Sequence, residues 1–480
     1  MKKNLPGKLH FVGAGGIGMS ALAQMARSLG HEVTGSDRAL HAPENSAIFQ
    51  ALCAQGVKLC EQDGSVYQSF TPEAIIYSTA IEEDNPDFKN APAGMERIHR
   101  SVALERSIQE LSAELNFAVT GTCGKTSVSA WLAEALENLG QNPGVISGGL
   151  INAFRSENLA GNYRRGSGRY FVIEADESDK SLLNYPTDAA LILNIGTDHY
   201  SKEELARVFG EFAANTSRIA VLEDQAYKTI RSLHKKDFLP GHQEKLLFST
   251  DVHAPDRIDG IRVIRLNGFS SGKDGAYAAI DGHAKMRLPG PGFYTAANAL
   301  AVYTALLALG FSPGDAIGSV ESFHGVWRRF NAAGKNGKGA LVFDDYAHNV
   351  EKIISCIEAG RELSSNRVIA LFQPHGFKPF GFMREELFSA LEKNLRPGDR
   401  FVLMPVFYAG GSSSFSPTAE EVAAEYQMKT RHAGRYLTFS GRKAAQDYLH
   451  EHSASGDVIL VMGARDNSLS NWARTIARTT

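Results

Sequence analysis

Residues 117–130 read Phe117-Ala118-Val119-Thr120-Gly121-Thr122-Cys123-Gly124-Lys125-Thr126-Ser127-Val128-Ser129-Ala130, and the changes of texture along them decide the fold. The apolar run Phe117-Ala118-Val119 predicts a buried strand. Glycines then break it, and Val128, Trp131, Leu132, Ala135, Leu136 and Leu139 recur at the spacing of one helix face. Strand, glycine-rich turn and helix together make a phosphate cradle. The glycines let the backbone curl, its N–H groups face the anion, and the helix N-terminus adds positive potential. In such a cradle Lys125 sits against the β- and γ-phosphates and the Thr126 hydroxyl holds Mg²⁺. Gly121, Thr122, Cys123, Gly124 and Ser127 complete it. Gly-Lys-Thr alone would suit an ordinary βα turn with a solvated lysine. The strand before it and the helix after it point instead to a bound nucleotide.

The first glycine of the common P-loop would stand at position 119, which is Val119. The form T-G-T-x-G-K-T-[ST] resembles that of the Mur ligase family, the ATP-dependent amide ligases of peptidoglycan synthesis. The resemblance extends along nearly the whole chain.

At 480 residues the chain is too long for one core and predicts roughly three domains of about 150 residues. A net charge of −3 argues against a nucleic-acid or anionic-membrane partner. Cys53, Cys60, Cys123 and Cys356 are scattered without a C-x-x-C, which fits a reducing cytoplasm and neither a disulfide framework nor a zinc site. No apolar run approaches the roughly 20 residues of a membrane helix. Lys8 and His10 interrupt the start, so no signal peptide is expected.

The strand Leu9-His10-Phe11-Val12 leads into Gly13-Ala14-Gly15-Gly16-Ile17-Gly18, a G-x-G-x-x-G, and a second strand ends at Ser36-Asp37. An acid about 20 positions beyond the glycines is the fingerprint of a dinucleotide site. By itself the pattern reports a diphosphate over a helix N-terminus, NAD included. The segment nevertheless resembles the opening of the alanine-adding and murein-tripeptide Mur ligases, which implies that the loop holds the diphosphate of a UDP-sugar. Ser78 and Thr79 lie in a stretch similar to the family's S-S-A-I…N-P-E, and Arg100 precedes an expected helix over 102–111.

Beyond the cradle, the strand 170–173 ends in Glu174-Ala175-Asp176-Glu177-Ser178-Asp179. An acid at that place beside a P-loop is the usual second holder of Mg²⁺, which nominates Glu174. The next strand, 189–194, delivers Asn194-Ile195-Gly196-Thr197-Asp198-His199. It resembles the family's N-I-x-x-D-H, which implies a metal-ligand role for His199. Residues 227–290 read as short, antiparallel strands at one side of the ATP domain. A helix over 296–309 carries Asn298 where the family's asparagine meets adenine, although Tyr294 and Thr295 replace its His-Asn pair. The stretch 323–330 resembles F-x-G-V-x-R-R-F, with Arg329 able to reach phosphate.

From Ala340 onward strands and helices alternate, predicting a third parallel layer. Asp344-Asp345-Tyr346-Ala347-His348 resembles the family's D-D-Y-A-H, which implies Asp345 at the ATP ribose. Phe372-Gln373-Pro374-His375 resembles F-Q-P-H, the alanine-adding branch continuing R-Y-S-R. Gly376-Phe377-Lys378-Pro379 stands there instead, leaving Lys378 and, further on, Arg384 as cations. Tyr346, His348 and His375 are the acceptor candidates.

The expected architecture is α/β in three domains: Rossmann-like over 1–110, P-loop ATPase-type over 111–330, Rossmann-like over 331–480. The resemblance implies an ATP- and Mg²⁺-dependent carboxylate–amine ligase acting through an acyl phosphate. Lys125, Glu174 and His199 would be its catalytic centre, with Thr126, Glu174 and His199 on metal. The expected substrates are a UDP-sugar, UDP-N-acetylmuramate, and an amino acid, L-alanine foremost. A peptide or a non-peptidoglycan acceptor is the alternative, and the expected state is a monomer or homodimer in the cytoplasm. A nicotinamide dehydrogenase would leave the P-loop and D-D-Y-A-H unexplained. A non-catalytic nucleotide-binding module is motivated only by the altered residues at 294–295 and 376–379.

Overall fold

Short apolar strands separated by amphipathic helices fold here into three sheets. The computed structural model describes residues 4–177, 180–196, 200–234, 238–241, 243–272, 275–408 and 415–478. Two compact units result. The first comprises residues up to Phe269 with Ala278–Pro289 and Ala296–Trp327, and the second comprises Ser270–Tyr277, Gly290–Thr295 and the chain from Arg328.

The first unit holds two sheets. The N-terminal one is parallel, in the order Lys58–Cys60, Glu32–Ser36, Lys8–Val12, Ala74–Tyr77, Glu96–His99, a Rossmann-type arrangement. In the central sheet the strand Leu115–Thr120, buried at every position, lies between Ala189–Ile192 and Tyr170–Glu174, parallel to both. Gly144–Ile146 extends this sheet on one side, and Ile219–Glu223, Glu244–Ser249 and Ile261–Gly272 on the other.

These two sheets share one unit because the helix between them is apolar on more than one face. Ile17–Ser28 is buried from Met19 to Ala26. Ala21 and Met25 join the core of the central sheet with Phe171 and Ile173, while Met19, Leu22 and Ala23 pack under the N-terminal sheet. The polar seam is satisfied as well: Gln24 Nε2 donates to Asn162 Oδ1 at 2.9 Å, and Asn162 Nδ2 donates to Ile17 O at 2.7 Å. Unpaired, such buried amides would each cost about 1–3 kcal/mol.

The second unit carries a sheet in the order Asn331–Lys335, Leu341–Asp345, Val458–Met462, Val368–Phe372, Arg400–Leu403, Tyr436–Thr438. It is parallel except for its first, antiparallel edge strand.

Several expectations need correction. Residues Asp224–Leu233 form a helix and Glu244–Ser249 joins the sheet in parallel, whereas Arg257–Ile258 pairs antiparallel with Ile261–Gly272 and the short strands Gly275–Ile280 and His283–Leu288 close the sheet edge, so the expected strands begin only after that helix. The acid Glu223 caps that helix by accepting from Ala226 N at 2.7 Å, a signal easily read as loop polarity. The helix expected from 296 begins at Phe293. The edge strands Asn331–Lys335 and Tyr436–Thr438 carry too little apolar periodicity to stand out. Among the described residues no helix is long and apolar enough to cross a membrane.

Candidate active site

The cradle at the end of Leu115–Thr120 is closed by its own glycines. Gly121 and Gly124 have φ of 139° and 90°, values that side-chain-bearing residues rarely adopt. A Cβ on Gly124 would lie 2.9 Å from Asn298 Oδ1, so Asn298 stands against the loop. Asn194 clamps the turn, accepting from Cys123 N at 2.8 Å and donating to Cys123 O at 2.9 Å. Gly196 N donates to Thr122 Oγ1 at 2.8 Å.

Lys125 opens the helix Lys125–Asn138 and folds back onto the turn. Its Nζ donates to Gly121 O at 2.8 Å and to Glu177 Oε1 at 3.0 Å, with Glu177 Oε2 at 2.7 Å. Burial alone would lower its pKa, but Glu177, with Asp176 and Glu174, overcomes that and holds the ammonium above its ordinary value. Thr126 Oγ1 donates to Glu174 Oε1 at 2.7 Å, and Glu174 Oε2 accepts from Gly148 N at 2.6 Å. The structure thus brings Lys125, Thr126 and Glu174 together. His199, the third metal candidate, lies outside the described residues.

Two contributors were absent from the sequence-based site. Glu177, whose side chain is 3% exposed, is the direct counter-ion of Lys125; its signal was its place in the acidic run 174–179. The pair Gly148-Gly149 is the other. A Cβ on Gly148 would meet Glu174 Oε1 at 2.9 Å, and one on Gly149 would meet Thr126 Cγ2 and Val326 Cγ1 at 2.6 Å. Glycines after the strand Gly144–Ile146 were the only sequence cue.

In the N-terminal loop the amides are largely spoken for. Gly13 N and Ala14 N both donate to Ser36 O at 2.9 Å, Gly16 N donates to Gly13 O at 3.2 Å, and Gly15 N donates to Asp37 Oδ2 at 2.8 Å. Asp37 Oδ1 accepts from Ala39 N at 2.8 Å. Asp37 therefore braces the loop. The side chain of Ser36 is buried, and its hydroxyl donates to Asp87 Oδ2 at 2.5 Å, so it supports the turn from below. The amides at the helix start, Ile17 and Gly18, precede the first intrahelical acceptors and remain the donors for an anion. A Cβ on Gly18 would lie 3.2 Å from Arg100 Nη1, and Arg100 Nη2 reaches Asp176 Oδ2 at 3.5 Å. Ser78 and the exposed Thr79 form a turn at the end of Ala74–Tyr77, with Ile81 against Gly13.

In the second unit, Asp345 Oδ2 accepts from Phe330 N and Oδ1 from Ala347 N, both at 2.7 Å. Burial pushes its carboxyl up to about 6 against the pull of Arg329. Arg329 lies 5.2 Å from the Tyr346 ring centroid. Its neighbour Arg328 is buried, donating to Asp344 Oδ1 at 3.2 Å and to Gly463 O at 2.6 Å. His348 and His375 meet with ring centroids 5.6 Å apart. Burial lowers His348 to about 3, helped by Lys352, and lowers His375 to about 4, helped by Arg465. Both imidazoles are neutral at pH 7. Gly376, at φ 74°, caps the helix Phe377–Asn394, which sets Lys378 on the exposed first turn. Arg384 is not a spare cation: its Nε lies 3.4 Å from Glu425 Oε2, and its Nη1 donates to Gly381 O at 2.6 Å.

Comparison with known proteins covers the same three segments. Residues 8–110 match the Mur ligase family catalytic domain, 119–306 the Mur ligase middle domain, and 328–465 the Mur ligase glutamate ligase domain. Curated relatives include the UDP-N-acetylmuramate–L-alanine ligases of Sinorhizobium medicae, 30% identical, and Agrobacterium fabrum, 31% identical. Each alignment covers 98% of this chain and 96% of the relative. Among solved structures, the UDP-N-acetylmuramate–alanine ligase of Thermotoga maritima superposes with a TM-score of 0.76 at 24% identity, covering 98% of both chains. A murein peptide ligase of Psychrobacter arcticus superposes with a TM-score of 0.67 at 20% identity, covering 98% of this chain and 97% of the other.

Proposed function

The chain belongs to the Mur ligase family of ATP-dependent ligases, and from that premise we propose that it joins L-alanine to the carboxylate of UDP-N-acetylmuramate, releasing ADP and phosphate. The observation that carries the reading is the cradle itself, with Lys125 Nζ folded over Gly121 O and Thr126 Oγ1 bound to Glu174. Full-length similarity to alanine ligases supports the choice of substrates.

A carboxylate and an amine do not condense in water, so the γ-phosphoryl of ATP is first transferred to a carboxylate oxygen. That step forms an acyl phosphate and leaves ADP. The amine nitrogen then attacks the carbonyl carbon, the C–O bond to phosphate breaks, and the nitrogen loses its proton. Lys125 and the amides of Gly121, Gly124 and Ser127 would spread the charge of the first step, while the amides of Thr122 and Cys123 are held by Asn194 and shape the turn. The Thr126 hydroxyl and the Glu174 carboxylate are hard oxygen donors of the kind Mg²⁺ takes with substrate phosphates and water, so this donor set fits the cation. When bound there it would neutralise charge building on the transferring phosphoryl group. Glu174 is already aimed at Thr126 by Gly148 N and Ser147 Oγ, which fixes both donors before any ligand arrives. His199 is proposed as a further ligand on the family resemblance alone.

The UDP-sugar diphosphate is placed at Ile17 and Gly18, with Arg100 beside Gly18 as an additional cation. Asn298 is proposed at the adenine, Asp345 and Arg329 at the ATP, and Tyr346, His348 and His375 at the acceptor. A different acceptor, such as a peptide, is favoured by one observation. The segment after Gln373 runs into a helix whose first turn carries Lys378 as its cation, while Arg384 further along it is held by Glu425. A phosphate-release screen with UDP-N-acetylmuramate, ATP and Mg²⁺ against amino acids and short peptides tests both readings. Full turnover with L-alanine at a sub-millimolar KM supports the first. Turnover only with a peptide supports the second, and no amine-dependent release refutes both.

A further inference from the structure

Three adjacent parallel strands of the second unit place Asp345, Met462 and Phe372 in one row, with Met462 in the middle. Three residues beyond that row on each strand stand His348, Arg465 and His375. The loop carrying Arg465 is gripped from several sides. Gly463 N donates to Asp345 O at 3.2 Å, Arg328 donates to Gly463 O at 2.6 Å and to Asp466 O at 3.0 Å, and Arg442 Nη2 donates to Asp466 Oδ2 at 2.6 Å.

Held this way, Arg465 adopts φ 64°, a conformation that costs a side-chain-bearing residue roughly 1–3 kcal/mol and persists where its surroundings impose it. Its side chain is exposed and has no ion-pair or hydrogen-bond partner among the described residues. Five other arginines of the unit, Arg328, Arg361, Arg367, Arg384 and Arg442, each face a carboxylate. An exposed guanidinium on a firmly held backbone is a receptor for a planar carboxylate. The flanking His348 and His375 rings are uncharged at neutral pH, so they can accept hydrogen bonds from an amino group without repelling it. An amino acid or peptide end offers both groups within a few atoms. We propose that Arg465 binds the carboxylate of the amine acceptor, with its amino group turned toward His375 and His348. The assignment rests on the ligase reading above and names the residue that reads the acceptor.

The test uses the full chain saturated with UDP-N-acetylmuramate and ATP. Arg465→Gln should raise the KM for the accepted amino acid or peptide roughly 10- to 100-fold, the scale of one charge-assisted pair. The KM for ATP should not move, and Arg465→Lys should recover part of the loss. The wild type should discriminate against the C-terminal amide of the same acceptor, and Arg465→Gln should not. An unchanged acceptor KM, or unchanged discrimination, in Arg465→Gln overturns the proposal. Should the wild type ligate no amine, the ligase reading fails, and binding then judges Arg465 separately. The His375 imidazole resonance is followed with a nonhydrolysable ATP analogue present. A shift on adding L-alanine or L-alanyl peptides, absent with their amides and in Arg465→Gln, supports the assignment. No carboxylate-dependent shift, or an equal shift with inorganic phosphate, overturns it.

Discussion

Replacing Glu177 by Gln tests whether the lysine of the cradle is parked. Both Glu177 oxygens lie within 3.0 Å of Lys125 Nζ, and the two side chains are 3% and 15% exposed. A nucleotide phosphate that recruits Lys125 must compete with this carboxylate. Gln keeps the shape and one acceptor but removes the charge. A hydrogen bond to a charged partner is worth about 1.5–3 kcal/mol and a neutral one about 0.5–1.5, so the competing contact weakens by about 1 kcal/mol. Affinity for a nonhydrolysable ATP analogue should therefore rise about five- to tenfold, read by calorimetry at fixed Mg²⁺. In a Lys125→Met background the same substitution should leave affinity unchanged, because the coupling runs through the ammonium. Weaker or unchanged binding by folded Glu177→Gln would refute the reasoning, since Glu177 would then be keeping its contact in the nucleotide complex.

Other outcomes follow from the same geometry. Lys125→Ala should abolish ATP-dependent phosphate release yet leave UDP-sugar binding intact by calorimetry, because the two glycine loops end different sheets. Glu174→Gln should raise the Mg²⁺ requirement and slow acyl-phosphate formation roughly 10²-fold, the scale of one preorganised stabiliser; normal positional isotope exchange in ATP would sink the assignment. Gly149→Ala puts a methyl 2.6 Å from Thr126 Cγ2 and Val326 Cγ1, which should lower stability by about 1–3 kcal/mol in urea unfolding and reduce turnover. His348 and His375 should keep neutral imidazoles by NMR down to about pH 5, following their lowered pKa of about 3 and about 4. Since these folded values lie below the ordinary 6.5, both histidines contribute stability present above pH 6.5 and lost as pH falls toward 4, so His375→Gln should flatten that part of the unfolding profile.

Local chemistry made much of this protein readable in advance. The strand at 117–119 announces itself by apolar composition, the turn by glycines, and the helix by its periodicity; Lys125, Thr126 and Glu174 then meet where strand ends meet. The glycines of 13–18 were equally legible as a turn. What they bind was not, because a G-x-G-x-x-G reports only a diphosphate near a helix start. Hydrogen-bond economy inside that loop lay beyond any linear reading: Asp37 looks like a ribose acid, and only the folded chain shows it holding Gly15 N.

Contacts between residues distant in sequence decided the rest. Glu177 becomes the partner of Lys125 across 52 positions, and Gly148 becomes the aligner of Glu174 because parallel strands bring their ends side by side. The division into two compact units came from Ala21 and Met25 reaching the second core, which a helical stripe read in isolation assigns to one face. Arg465 carries no motif of its own; it follows the middle strand of three whose neighbours lead to His348 and His375. Sequence alone determined the strongly periodic elements and the glycine-lysine turn, since both depend on neighbours a few residues apart. Tertiary structure alone decided which charges are paired and which are left for a ligand, because pairing depends on distances that only the packed sheets define.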